Sequence, residues 1–224
     1  MDFIFMLTRG DKTVEDCVDV LEQIAPLHLG HIGFKDVGVE PKTLHLLADR
    51  IRSLGAISYM EVVSETPDAC LQSARVAREL GIDRLLGGTD VKSITDILEG
   101  AHTDYYPFPG FPSGHPTKLA GSPADVTAHC QGFREAGCAG ADLLAYRATQ
   151  ADPLDLIRAA RKGLGDGYLI VAGSITSRER IKAVAEAGAD AFTIGTAVFD
   201  GSYNPRKGSI LSQLGDVIAD CEAA

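Results

Sequence analysis

Lys35 stands at the end of the apolar run His31-Ile32-Gly33-Phe34 and is followed at once by Asp36. An amine at the tip of a buried strand has two chemical uses. Desolvation would lower its pKa from an ordinary value of about 10.4 and free a neutral nucleophile that forms a Schiff base with a carbonyl. With a carboxylate beside it, it would instead move a proton next to a carbonyl. Glu61, near the end of the following apolar run, is the expected partner, and Asp36 is a second acid at the same tip. The plainer alternative is a structural ion pair of Lys35 with Asp36 or Glu61. Arg9 and Arg147 close two other apolar runs. Their planar forks suit a carboxylate or a phosphate. His115 and Lys118 fall in a Gly- and Pro-rich stretch, residues 109–123, long enough to close over a ligand.

These residues need elements to hold them. Apolar runs at 3–7, 29–34, 56–63, 83–88, 104–108, 141–146, 168–173 and 191–195 read as strands. Between and after them, apolar positions recur at three to four residues near 13–25, 41–54, 67–80, 91–99, 123–137, 153–163, 177–187 and 206–221, the spacing of helices with one buried face. Thr13 to Asp16 ("TVED") has the form of a capping box, Ser177 is a candidate N-cap, and Pro41 and Pro153 sit near helix starts. Three joins, "VARELGIDRLLGG", "FREAGCAGADLLAY" and "VAEAGADAFTIG", each run helix, glycine, Asp, buried strand. The glycine ends the helix in a left-handed turn and the next strand begins within a few residues. Eight such strand–helix units imply an all-parallel sheet. Over residues 1–224 the expectation is a single α/β domain, a (β/α)8 TIM barrel with eight parallel strands. An open doubly wound sheet is the rival, and no GxGxxG follows the first strand to support it.

In a barrel, chemistry gathers at the C-terminal strand ends. Alternation along the second strand puts His31, Gly33 and Lys35 on one face and Ile32 and Phe34 on the other, so Lys35 would point into the mouth. Tyr59 and Glu61 share a face of the third strand. His31, below Lys35, would be a satisfied core histidine or an orienter. "VAGSITS" and "TIGTAVF" follow the seventh and eighth strands, where barrels commonly hold a phosphate on backbone N–H groups and on a short extra helix. Gly173, Ser174, Gly195 and Thr196 are the candidate phosphate contacts, and the short helix would begin at Gly195.

The stretch "YLIVAGSITSRERIKAVAEAGADAFTIGTAVF" resembles the phosphate-binding half of the ribulose-phosphate-binding barrel superfamily, which includes sugar-phosphate epimerases, decarboxylases and the barrels of histidine and tryptophan synthesis. The resemblance implies a (β/α)8 fold and a small phosphorylated substrate. Ser174 departs from it, since many members carry a second glycine there. The first half has neither the D-x-K-x-x-D pattern of the orotidine-phosphate decarboxylase group nor the paired His and Asp tips of a metal-dependent pentose-phosphate epimerase.

Bulk properties narrow the field further. A net charge of −10 and a pI of about 5.0, with no basic stripe, argue against nucleic acid as a partner. No apolar run reaches the roughly 18 to 20 residues of a membrane span, and the N-terminus lacks the basic region and cleavage site of a signal peptide. Five scattered cysteines without a CxxC pair fit reduced thiols in the cytoplasm. No H-x-H or HExxH occurs, so no metal ligands are expected. The expectation is a cofactor-free lyase, aldolase, isomerase or epimerase. Lys35, Glu61 and Asp36 would do the chemistry, with Arg9, Arg147, His115 and Lys118 on the substrate. A phosphoribosyl-compound cyclase or synthase using an acid pair such as Asp36 and Asp90 stays open. So do a non-catalytic barrel that binds a phosphorylated metabolite, and assembly into a homo-oligomer.

Overall fold

The computed structural model describes residues 1–63 and 66–224. Eight parallel strands form the central sheet: β1 (Asp2–Met6), β2 (His31–Lys35), β3 (Ile57–Val62), β4 (Arg84–Gly87), β5 (Asp104–Tyr106), β6 (Gly140–Leu143), β7 (Tyr168–Val171) and β8 (Ala191–Ile194). Their spatial order is β6-β7-β8-β1-β2-β3-β4-β5. The Ala139 N–H donates to the Tyr105 carbonyl and the Asp142 N–H to that of Pro107, both at 3.1 Å, so β6 meets β5 and the sheet closes into the expected (β/α)8 barrel. Around it lie α1 (Cys17–Ile24), α2 (Pro41–Ser53), α3 (Pro67–Leu80), α4 (Val91–Leu98), α5 (Pro123–Glu135), α6 (Pro153–Leu164), α7 (Arg178–Glu186), the short α8 (Thr196–Phe199) and α9 (Ile210–Glu222).

Strand alternation divides the apolar side chains into two layers. Phe5, Ile32, Phe34, Met60 and Leu85 face the helices and join the main core. Ile4, Met6, Tyr59, Leu86, Tyr106 and Ile170 fill the barrel interior. At the N-terminal end the Arg84 guanidinium stacks over Tyr168, Tyr59 and Tyr106, with ring centroids 4.7, 5.4 and 5.7 Å away. His31 shares a 2.9 Å hydrogen bond with the Tyr59 hydroxyl there, as a satisfied interior histidine. These side chains plug the N-terminal end of the barrel.

Several helix starts follow the expected local chemistry. The Ser177 hydroxyl accepts from the Arg180 N–H, and Pro41 and Pro153 occupy first-turn positions where no N–H is missed. The capping box expected at Thr13 to Asp16 does not form: α1 begins at Cys17, and Asp16 makes no side-chain cap. Thr13 lies instead in a two-residue ladder with Thr8, where its hydroxyl accepts from the Lys35 N–H (2.8 Å) and donates to the Lys35 carbonyl (2.9 Å). Tertiary pairing with the tip of β2 has taken the cap. The three helix–Asp–strand joins are not equivalent either. Asp83 and Asp190 come two residues after their glycines and accept the backbone N–H groups of Ser58 (2.8 Å) and Leu169 (2.7 Å). Asp142 comes five residues after Gly137, inside β6.

Candidate active site

Parallel register sets Lys35 directly beside Glu61 on β2 and β3. Both point into the mouth, and the Lys35 ammonium lies 3.2 Å from Glu61 Oε1 and 2.9 Å from Asp11 Oδ1. Asp11 follows the tip of β1 in a tight turn, at φ 62°, and is buried. It accepts two bonds from Arg147, at 2.5 and 2.7 Å, and one from the Thr117 N–H at 3.2 Å. Arg147 also donates to the Thr117 carbonyl (3.3 Å). Asp11, Arg147 and Thr117 therefore clasp three segments across the mouth: the turn after β1, the tip after β6 and the long connection after β5.

The charges decide the state of the amine. Burial alone would lower the Lys35 pKa, but the Glu61 and Asp11 carboxylates outweigh it and raise the pKa above its ordinary value. Lys35 is therefore an ammonium, and the expectation that desolvation frees a neutral amine is corrected. Burial would raise Asp11, but the Arg147 and Lys35 contacts hold it well below the usual carboxylate range. Asp142 is the opposite case. It is fully buried, and neither carboxylate oxygen has a hydrogen-bond partner among the described residues. Burial, with the Glu61 charge adding to it, drives its pKa well above the ordinary range, against Lys35 and Arg147.

A cavity of about 440 Å³ opens above Lys35 and Glu61. Its far wall is the pair of loops after β7 and β8, including Gly173, Ser174, Gly195 and Thr196, so the four expected anion contacts and the amine face one space. The short helix expected there is α8, with Gly195 at its start. A Cβ on Gly195 would lie 2.6 Å from Thr8 Oγ1 and 2.7 Å from the Thr8 carbonyl, so only glycine fits against the β1 tip. Ser174 keeps φ 60°, the left-handed conformation natural to a glycine at this position. Arg180 also lines the cavity, donates to the Ser174 carbonyl and stacks over Tyr146 at 4.7 Å. Lys35 and Arg147 are both ion-paired, whereas Arg180 meets no carboxylate among the described residues.

Other expected site residues lie elsewhere. The Asp36 carboxylate turns toward α3, accepting from the Val63 N–H (3.0 Å) and the Ser73 hydroxyl (2.7 Å). Asp90 caps α4 through the Ser93 N–H. Neither lines the cavity, so the two do not form an acid pair in it. Arg9 is exposed and outside the lining. Residues 111–120 form a small hairpin, Phe111–Ser113 against Lys118–Ala120. Its His115 and Lys118 point to solvent, while Pro116 and Thr117 make the contacts at the mouth. Sequence reasoning did not single out Asp11, Thr117, Arg180 or Asp142. Only Asp142 carried a readable signal, its longer spacing from the helix-ending Gly137.

Fold and site together define a (β/α)8 barrel with a buried ammonium–carboxylate cluster facing an anion-compatible wall. No protein-family model matches the chain, and no curated protein matches it. Solved structures do. Orotidine 5′-phosphate decarboxylase from Pyrococcus horikoshii OT3 is similar at 15% identity with a TM-score of 0.63, over 98% of this chain and 99% of that one. A structure described as native KDPGal is similar at 11% identity and TM-score 0.68, over 99% and 97%. A protein assigned as a deoxyribose-phosphate aldolase, from Coccidioides immitis, is similar at 10% identity and TM-score 0.65, over 91% and 83%. At these identities the likeness is one of fold, and at that level the resemblance read from the β7 and β8 motifs is borne out. No helix among the described residues is long and apolar enough to cross a membrane.

Proposed function

We propose that this barrel is an enzyme that moves a proton on a small phosphorylated carbonyl compound, as a lyase or an isomerase. The observation that carries the reading is that Lys35 and Glu61 share one cavity with the glycine-bearing loops after β7 and β8. In this reading the phosphoryl group rests on Gly173, Ser174, Gly195 and Thr196, with Arg180 as its cation. The carbonyl oxygen faces the Lys35 ammonium, which donates a hydrogen bond and balances the negative charge that develops there. Glu61 takes a proton from the neighbouring carbon and returns it to the product. Arg147 would orient a second polar group by exchanging one of its bonds to Asp11. Acid and base are both side chains, so the reading calls for neither metal nor organic cofactor. Likeness in fold to proteins named for orotidine 5′-phosphate and deoxyribose-phosphate supports the substrate class.

A Schiff base at Lys35 is the rival chemistry. It requires the ammonium to lose its proton, which Asp11 and Glu61 oppose. The test is incubation with a panel of phosphorylated aldehydes and ketoses in deuterated water, with and without borohydride, followed by peptide mapping. The expected result is deuterium in the substrate, an unmodified Lys35 peptide, and exchange lowered about 10²–10⁴-fold by Lys35→Gln. Borohydride labelling of Lys35 would replace proton transfer with the Schiff base. No exchange or turnover with any member of the panel would end the enzyme reading.

A further inference from the structure

Asp142 has no task in the proton-transfer reading, yet its surroundings are unusual. It pairs in register with Ile170, whose side chain belongs to the barrel interior, so the carboxyl of Asp142 points inward below the cavity floor. Its backbone N–H is used at the closure of the barrel, and its side chain is wholly shielded from solvent. Neither side-chain oxygen has a hydrogen-bond partner among the described residues. The charged groups that face it come from three segments: Glu61 from β3, Lys35 from β2 and Arg147 from beyond β6. Asp11 is linked to it only through Lys35 and Arg147.

A buried carboxylate without a donor is a poor resting state, and a buried carboxylic acid is a far better one. Charge balance agrees. Lys35 and Arg147 carry two positive charges, and Asp11 and Glu61 carry two negative ones. The buried cluster is neutral only while Asp142 holds its proton. If that proton leaves, a third anion sits beneath Lys35 and competes with Asp11 and Glu61 for the ammonium.

We propose that Asp142 is a positioning residue that works by keeping its proton: while it is neutral Lys35 stays centred at the cavity floor, and when it ionises it draws Lys35 off that position and shuts the site down at alkaline pH. On ionisation the carboxyl O–H bond breaks and the proton passes to solvent, with no other bond changed. The consequence for turnover rests on the proton-transfer reading above; the protonation and its effect on Lys35 do not.

The experiment combines infrared spectroscopy of aspartate-labelled protein with ¹⁵N resonances of its lysine side chains, across neutral to alkaline pH, for the wild type and Asp142→Asn. The wild type should show the carbonyl stretch of a protonated carboxyl at neutral pH, absent from the variant. As that band titrates away, the Lys35 resonance should shift in step, and the variant should show no such step. With a turned-over substrate in hand, the alkaline limb of the rate profile should move to higher pH in Asp142→Asn. Absence of the band from the wild type, or a Lys35 resonance that does not shift in step with it, would overturn the inference, and both of these are read from the wild type alone if the variant folds poorly; Lys35 titrating alike in a folded variant would overturn it too. Band and Lys35 step together, with no turnover of any phosphorylated carbonyl, would uphold the role of Asp142 and sink the functional reading instead.

Discussion

At the residue scale, Asp11 governs what Lys35 can do, because it fixes the ammonium and Arg147 at once. Its carboxyl titrates lower in the folded chain than in the unfolded one, where the value is about 3.9. A depressed carboxylate pKa stabilises the fold above the unfolded value, and that stabilisation drains away as pH falls below about 4. Asp11→Asn should therefore melt below the wild type at neutral pH, and the gap should close as the solution is acidified, read from melting temperature against pH. A constant gap would mean that Asp11 is not held as an anion. Arg180 should show itself through inorganic phosphate: Arg180→Gln is expected to weaken its binding about tenfold or more in low-salt calorimetry, the scale of a charged hydrogen bond. Equal affinity would remove Arg180 from the anion wall. Lys35 was legible in the sequence because strand alternation is local, and the four loop residues because small polar motifs follow the last two strands; Glu61 was legible as a strand-end acid but not by the face it takes. Asp11 was not. A Gly-Asp turn after a strand reads as a surface turn, and nothing local shows that Lys35 and Arg147, 24 and 136 positions away, converge on it.

At the element scale, strand tips alone do not make the mouth; the connections between elements finish it. The turn after β1, the tip of β6 and the hairpin after β5 meet at Asp11, Arg147 and Thr117, and the Thr149 N–H beyond β6 adds a bond to the Leu119 carbonyl of the hairpin. Arg147→Ala should speed amide exchange in residues 111–120, where the Thr117 carbonyl loses its donor and the Asp11 carboxylate that holds the Thr117 N–H loses its clamp, while leaving the β1–β2 ladder protected. Unchanged exchange in the hairpin would show that it is held by other contacts. The β8 loop is fixed by close approach instead, and Gly195→Ala should destabilise the fold by about 1–3 kcal/mol in urea unfolding, since the new methyl meets the side chain and backbone of Thr8. A neutral outcome would mean that the β1 tip yields. All eight strands and their helices were readable from period and punctuation. The capping box at Thr13 was misread because its hydroxyl serves a distant strand tip.

At the scale of the whole molecule, the barrel closes at its thinnest join. β5 spans three residues, and two backbone bonds tie β6 to its neighbourhood. The amides of Ala139 and Asp142 should exchange sooner than those of the five-residue β2–β3 ladder, as measured by hydrogen exchange, and equal protection would show that opening is global. The sequence by itself determined the period of every strand, the helices between them, the parallel order and the face on which Lys35 lies, because each depends on neighbours a few residues apart, whereas both faces of β3 carry apolar residues and the inward turn of Glu61 came from the barrel. Only the tertiary structure decided the charge of that site. A lysine's proton, a buried aspartate's neutrality and an arginine that meets no carboxylate among the described residues depend on which charges the closed barrel brings within a few ångströms, and those come from segments up to 136 positions apart.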